Sequence, residues 1–221
     1  MGVEAIVFDV DGTLALLPID WRAVIDAIRE EPCSANSFLG FVNRCHGTES
    51  FWRIHNLVSE LELRAVENIV VLDNSPVIVS ELCRLYTIGF VTMQSKVAGV
   101  EVLKRLGISD CAKVLVSRED ARNRIEQIAI AVKKLGVSPS RTLFIGDKML
   151  DALAAYLNGL KAVVILRNAR DLRISDTDYL DEDLEVLGIP IAKNLLDAIE
   201  IASRLGWVRI AGVDKGLSDS G

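Results

Sequence analysis

The chain is poor in the residues that build zinc or redox centres: two histidines and four cysteines in 221 residues. Cys33, Cys45, Cys83 and Cys111 lie far apart, with no CxxC and no Cys/His pair at zinc spacing. They read as small buried hydrophobes in a reducing compartment, with a Cys33–Cys45 bridge left open. Aromatic residues are scarce at 5%, and no apolar run reaches the length of a membrane-spanning helix. Positive charge is neither dominant nor blocked together, and the net charge is −6. Attraction to a phosphate backbone therefore offers no support for nucleic-acid binding, and no nucleic-acid or membrane partner is expected. The first apolar run starts almost at Met1, without the charged region, apolar stretch and cleavage site of a secretory leader, so a cytoplasmic location is expected.

What the chain has is aliphatic mass: half its residues are hydrophobic and a quarter charged. That excludes disorder over most of its length and gives material for one large core, or for a core with a small insertion. Short continuous apolar runs recur at 4–8, 88–92, 113–116, 142–145 and 162–166. Continuous rather than alternating runs suit parallel strands covered on both faces. Helical periods lie between them. Val97, Val100, Leu103 and Leu106 precede Gly107, and Ile125, Ile128, Ala129, Val132 and Leu135 precede Gly136, each glycine placed to end a helix. Ala152–Leu157 runs to Gly159, and a last helix covers 195–205. The alternation predicts an α/β fold, a doubly wound parallel sheet of Rossmann-like form, in which ligands bind beyond the carboxyl ends of the strands.

Residues 15–73 break the alternation. Trp21, Val24, Ile25 and Ile28 fall at helical spacing behind Asp20 as N-cap, and further apolar-periodic segments run through Phe51-Trp52 and 57–66. The expected organisation is a core of residues 1–14 and 74–213, a helical cap of 15–73, and a disordered tail of 214–221. Arg170–Glu185 fits neither period, and His46 and His55 are assigned no chemistry.

The most informative segment is Val7-Phe8-Asp9-Val10-Asp11-Gly12-Thr13-Leu14. An apolar strand ends in two carboxylates at i, i+2, which suits a site that holds a cation and attacks an electrophile. Asp-Gly between apolar arms also signals a hairpin turn, but Pro18 cuts the second arm short and a helix opens at Asp20. Three further features sit just past strand ends: a hydroxyl at Thr92, the cluster Arg118, Arg122 and Arg124, and Gly146-Asp147 running on to Asp151. Singly each is a common surface or turn feature; in this order they form a constellation.

With those residues in place, the chain resembles the haloacid dehalogenase-like (HAD) superfamily over nearly all its length. Asp9–Thr13 match its D-x-D-G-T motif, Thr92 its second motif, and Gly146, Asp147 and Asp151 its G-D-x-x-x-D motif. The place and size of the insertion are similar to the phosphoglycolate phosphatase-like branch. The resemblance implies a phosphatase of small phosphorylated metabolites that works through an aspartyl-phosphate. Asp9 would be the nucleophile, Asp11 the general acid and then base, and Thr92 with backbone N–H groups near Gly12 and Met93 the phosphate cradle. Mg²⁺ would be held by Asp9, the Asp11 carbonyl and Asp147, with Asp151 as ligand or support. A carboxylic acid at Asp11 favours phosphoryl transfer over dehalogenation, because an alkyl halide needs no protonated leaving oxygen.

The departure is the third motif, where the family places a lysine. No lysine falls between Lys113 and Lys133. Counting back from Leu135-Gly136 makes Arg122 the first candidate to replace it, with Arg124, Lys96 and Lys148 as alternatives. Phosphomutase activity, or a phosphate-binding or interaction module without turnover, are the rival readings.

Overall fold

A computed structural model describes residues 2–167 and 188–209. The expected tail and the whole of the aperiodic 170–185 stretch lie outside them. Element order is β1 (Ala5–Asp9), β2 (Ala15–Leu16), α1 (Trp21–Arg29), α2 (Phe38–Cys45), α3 (Glu49–Ala65), β3 (Val70–Val71), α4 (Ser75–Cys83), β4 (Thr87–Val91), α5 (Lys96–Arg105) and β5 (Ala112–Val116). There follow α6 (Arg124–Leu135), β6 (Thr142–Gly146), α7 (Met149–Leu157), β7 (Lys161–Ile165), β8 (Ile191–Ala192) and α8 (Leu195–Arg204).

Among the described residues, six strands form one parallel sheet in the order β5-β4-β1-β6-β7-β8. β1 is therefore central, flanked by β4 and β6, and all five of its residues are buried. Its side chains alternate between two apolar layers. Ile6 and Phe8 join Val79, Leu82, Val102 and Ala198 on one face, while Ala5 and Val7 join Ile128, Ala131, Ala152 and Ala155 on the other. Burial on both faces explains why the strands read as unbroken apolar runs. Full burial of each such aliphatic or phenyl side chain contributes about 1.5–3 kcal/mol.

The signals that end helices act as the sequence suggests. Gly136 closes α6 at φ 72° and Gly107 follows α5 at φ 69°. Asp20 accepts from the Arg22 N–H at the start of α1. The Asp-Gly hairpin reading does not hold. β2 pairs antiparallel with β3, joining Ala15 to Val71 and Leu16 to Val70, so the chain leaves and re-enters the core through one two-stranded ribbon. Between those strands, α1, α2 and α3 pack around an apolar cluster of their own that includes Val24, Ile28, Phe41, Phe51 and Val58. The return into α4 turns through Asp73 and Asn74, both in the left-handed region at φ 51° and 55°. Asp and Asn tolerate that conformation better than other non-glycine residues, and the Asp73 carboxylate is tied down by Arg167 Nη1 at 2.5 Å and the Leu195 N–H at 2.8 Å.

The cysteine expectation is corrected. Cys33 is bonded to Cys45 and Cys83 to Cys111, with Cα atoms 5.9 and 5.6 Å apart, and no free thiol is left. The first bridge ties the end of α2 to the loop before it; the second ties the end of α4 to the turn before β5. Each is worth about 2–4 kcal/mol through restriction of the unfolded chain. The cysteine argument for a reducing compartment falls with the correction. No described helix is long and apolar enough to cross a membrane.

Candidate active site at the carboxyl edge of the sheet

Because β4, β1 and β6 are parallel neighbours, their carboxyl ends open at one edge. The register sets Asp9 opposite Val91, and Phe8 opposite Ile145. Thr92 and Asp147 therefore emerge on either side of Asp9. Asp9, Asp147 and Asp151 each offer a carboxylate oxygen within 4.8 Å of the others. Asp9 and Asp151 are 1% exposed, so the charges converge in a poorly solvated place.

Two glycines make room for them. Gly12 sits at φ 89°, and a Cβ there would run into the Asp147 carboxylate. A Cβ on Gly146 would lie 2.5 Å from Asp151 Oδ2. Thr13 donates to Asp9 Oδ2 at 3.2 Å, while Asp151 Oδ2 accepts from the Asp147 and Lys148 N–H groups at the start of α7, both at 3.2 Å. Asp151 thereby caps a helix N-terminus, where a negative charge is favoured.

The cation that meets these acids is Arg124. Its Nη2 reaches Asp9 Oδ1 at 2.5 Å and its Nε reaches Asp151 Oδ1 at 2.7 Å, with the arginine side chain 6% exposed. Its Nη1 donates to Gln127 Oε1 at 2.9 Å, and Gln127 Nε2 in turn donates to the Thr92 carbonyl at 2.7 Å. One buried chain of contacts thus runs from β4 through α6 to β1 and α7. Burial alone would lower the Arg124 pKa, but Asp9, Asp151 and Asp147 outweigh it and hold it above the ordinary value.

The expectation that Arg122 fills this position is corrected by placement. Arg122 lies before the Asn123 N-cap, its side chain is 59% exposed, and its Nε pairs with Glu126 at 2.7 Å. The sequence held a signal for the right residue. Counting back in steps of three or four from Leu135 through Ala131 and Ile128 reaches 124, on the face of α6 that meets the sheet. Lys96 is directed elsewhere, donating to the Leu115 carbonyl at 2.5 Å and lying 3.4 Å from Asp120. Lys148 is at the site, with Nζ 3.6 Å from Asp147 Oδ1.

Protonation follows from crowding. Burial first, then the charge of Asp9 set against that of Lys148, pushes Asp11 up to about 6. Asp11 Oδ1 accepts from the Leu17 N–H at 3.2 Å. Asp147 is raised well above its ordinary value, by burial and then by Asp9, Asp151 and Asp11 against the opposing pull of Lys148. Among the described residues Asp147 Oδ1 is buried with no hydrogen-bond partner. An oxygen without a hydrogen-bond donor, with only the Lys148 ammonium 3.6 Å away, among repelling carboxylates is what a hard divalent cation relieves, and the all-oxygen donor set suits Mg²⁺.

Thr92 is fully buried at the end of β4, and its Oγ1 accepts from the Gln94 N–H at 3.1 Å. The Met93 carbonyl accepts from Arg118 Nη1 at 3.0 Å. Arg118 was grouped in the sequence with Arg122 and Arg124 but does different work, joining the loop after β5 to α3. Over the acids lies a cavity of about 710 Å³, bounded by Asp9, Asp11 and Lys148 below and by Trp21, Phe38 and Leu39 from the helical insertion above.

Comparisons with known proteins bear on the family and the fold. Residues 38–165, more than half of the chain, match the family model of haloacid dehalogenase-like hydrolases. A HAD phosphatase from Thermococcus onnurineus shares the fold at a TM-score of 0.60 and 21% identity, with 94% of this chain and 100% of that one covered. A hydrolase from Pseudomonas syringae does so at a TM-score of 0.66 and 19% identity, covering 91% and 99%. Among curated proteins, the thermosome subunit gamma of Saccharolobus shibatae is 30% identical over 118 residues, 53% of this chain but 20% of that protein. The chain thus spans about one fifth of the length of the curated relatives it matches.

Proposed function

The chain belongs to the haloacid dehalogenase-like hydrolases, and on that premise we propose that it is a Mg²⁺-dependent phosphatase of small phosphorylated metabolites. The observation that carries the reading is the convergence of Asp9, Asp147 and Asp151 within 4.8 Å, with Arg124 on the Asp9 carboxylate.

Asp9 attacks phosphorus, the ester P–O bond breaks, and Asp11 protonates the departing alkoxide. An acid lifted to about 6 is suited to carry that proton near neutrality. In the second half Asp11 takes a proton from water, the water oxygen bonds to phosphorus, and the Asp9–phosphoryl bond breaks. Arg124 holds Asp9 in line and offsets negative charge. Two unit charges about 4 Å apart repel by roughly 4 kcal/mol at an effective dielectric of 20, so anionic groups cannot converge here without such cations. Asp9, the Asp11 carbonyl and Asp147 would hold Mg²⁺, with Asp151 engaged in orienting Arg124 and the start of α7. When bound, Mg²⁺ supplies the remaining charge compensation. Thr92 and the backbone N–H groups near Gly12 and Met93 cradle the phosphoryl oxygens. Residues 15–73 act as a cap that excludes water from the first step.

The test is release of inorganic phosphate from an aryl phosphate with Mg²⁺ and with chelator, for the wild type and for Asp9→Asn. Release that needs both Mg²⁺ and Asp9 supports the reading. Equal, negligible rates in both proteins would instead favour a phosphate-binding module.

A further inference from the structure

The cavity above the acids says something about the alcohol that the phosphate leaves behind. Its 710 Å³ falls within the range of about 300–1,000 Å³ that encloses ligands of drug-like size, well beyond a two-carbon acid. Its upper wall is mostly apolar, with Trp21, Phe38 and Leu39 from the insertion and Ile125 and Leu150 from the first turns of α6 and α7, interrupted by Ser37, Asn43 and Asn123.

Charge on the lining is already committed. Arg124 is paired with Asp9 and Asp151, Arg122 with Glu126, and Lys148 with Asp147. Glu62, also on the lining, is itself paired with Arg118. Among the described residues that line the cavity, every cation is paired, so a second anionic group on the substrate would lie among apolar walls and carboxylates. Desolvating an unpaired carboxylate is strongly unfavourable.

One buried amide on the lining has no hydrogen-bond partner among the described residues. Gln94 is 5% exposed, and among the described residues neither Oε1 nor Nε2 has a hydrogen-bond partner. Its backbone is fixed on both sides, the N–H donating to Thr92 Oγ1 at 3.1 Å and the carbonyl accepting from the Arg118 N–H at 3.3 Å. A buried amide left without partners is unfavourable by about 1–3 kcal/mol, and a ligand that supplies them recovers that loss.

We propose that the substrate is a monophosphate ester of an uncharged alcohol with a large apolar body, and that Gln94 selects it by hydrogen-bonding one neutral polar group on that body. The inference rests on the phosphatase reading and names its substrate class. It excludes phosphoglycolate and other phosphates that bear a second anion.

The experiment compares benzyl phosphate, 4-carbamoylbenzyl phosphate, 4-carboxybenzyl phosphate and phosphoglycolate, measured by phosphate release with Mg²⁺. The remote substituent hardly alters the leaving oxygen, so kcat/KM reports the cavity. The expected order is carbamoyl above unsubstituted, with the carboxylated esters lowest. Gln94→Leu removes the carbamoyl advantage, about tenfold in KM for one hydrogen-bonded group, and leaves benzyl phosphate within about twofold. Its thermal unfolding matches or exceeds that of the wild type, because the lost amide had no partners; a fall in stability with equal losses on every ester would overturn the role of Gln94. Preference for a carboxylated ester in the wild type would overturn the substrate class. Absence of release from all four, in the wild type as in Asp9→Asn, would overturn the phosphatase reading itself.

Discussion

Arg118 Nη1 and Glu62 Oε1 meet at 2.5 Å, and the two side chains are 0% and 2% exposed. Glu62 belongs to α3 of the helical insertion and Arg118 to the loop after β5, so this pair spans insertion and sheet. The rest of the guanidinium is also engaged: Nε donates to His55 Nδ1 at 3.1 Å, and Nη2 donates to Ser59 Oγ at 3.0 Å and the His55 carbonyl at 3.2 Å. Glu62 Oε2 accepts from the Ser95 N–H at 2.9 Å, and His46 Nε2 meets the Arg118 carbonyl at 3.0 Å.

Removing one member of such a pair strands a buried charge. Arg118→Met is expected to lower unfolding stability by about 3–5 kcal/mol, and the double variant Arg118→Met/Glu62→Leu to recover most of the loss. Denaturant unfolding of the two single variants and the double variant measures both. A double variant no better than Arg118→Met would show that the pair is not coupled as described.

His55 gives the same joint a pH dependence. Its Nδ1 accepts from Arg118, which requires the neutral ring. Burial first, then the Arg118 charge, lowers its pKa, with Glu119 across the ring opposing. The folded value lies below the unfolded one of about 6.5, so the unfolded state binds the proton first. The contribution to stability is present above that pH and is lost as pH falls through the folded value. Raised carboxylates at the site act in the opposite sense, so the comparison is between proteins: the stability of His55→Asn is expected to fall less steeply than that of the wild type between about pH 7 and 5. Parallel profiles would contradict the assignment.

Much of the fold was legible, because the five long strands are buried on both faces and the glycines after α5 and α6 punctuate as their geometry requires. β2, β3 and β8 were missed, being two residues each. Their pairings depend on tertiary context, as do the disulfide between positions 83 and 111 and the burial of Glu62. The acids of the site were readable from their place after strands. Arg124 was displaced by two residues because counting from Gly136 ignores which face of α6 meets the sheet. His46 and His55 were assigned no chemistry, and their structural work became visible only once α3 lay against Arg118.

Arg124 and Arg122 separate cleanly by substitution. Arg124→Met is expected to lower kcat/KM for an aryl phosphate by about 10²–10³, the usual loss for one preorganised electrostatic donor. Arg124→Lys should retain part of the activity, since an ammonium keeps the charge but not the fork that reaches both Asp9 and Asp151. Arg122→Ala, at an exposed pair, should change it by less than about threefold. The reverse ranking would return the role to Arg122.

The central claim is that the Asp9 carboxylate becomes esterified by phosphorus, and it is tested most directly by trapping. Enzyme turning over an aryl phosphate with Mg²⁺ is quenched in acid and treated with borohydride, which reduces an acyl phosphate to an alcohol. Peptide mass spectrometry is predicted to find homoserine in place of Asp9, only when substrate and Mg²⁺ were both present. Phosphate release with an unaltered Asp9, or homoserine at another carboxylate, would contradict the account.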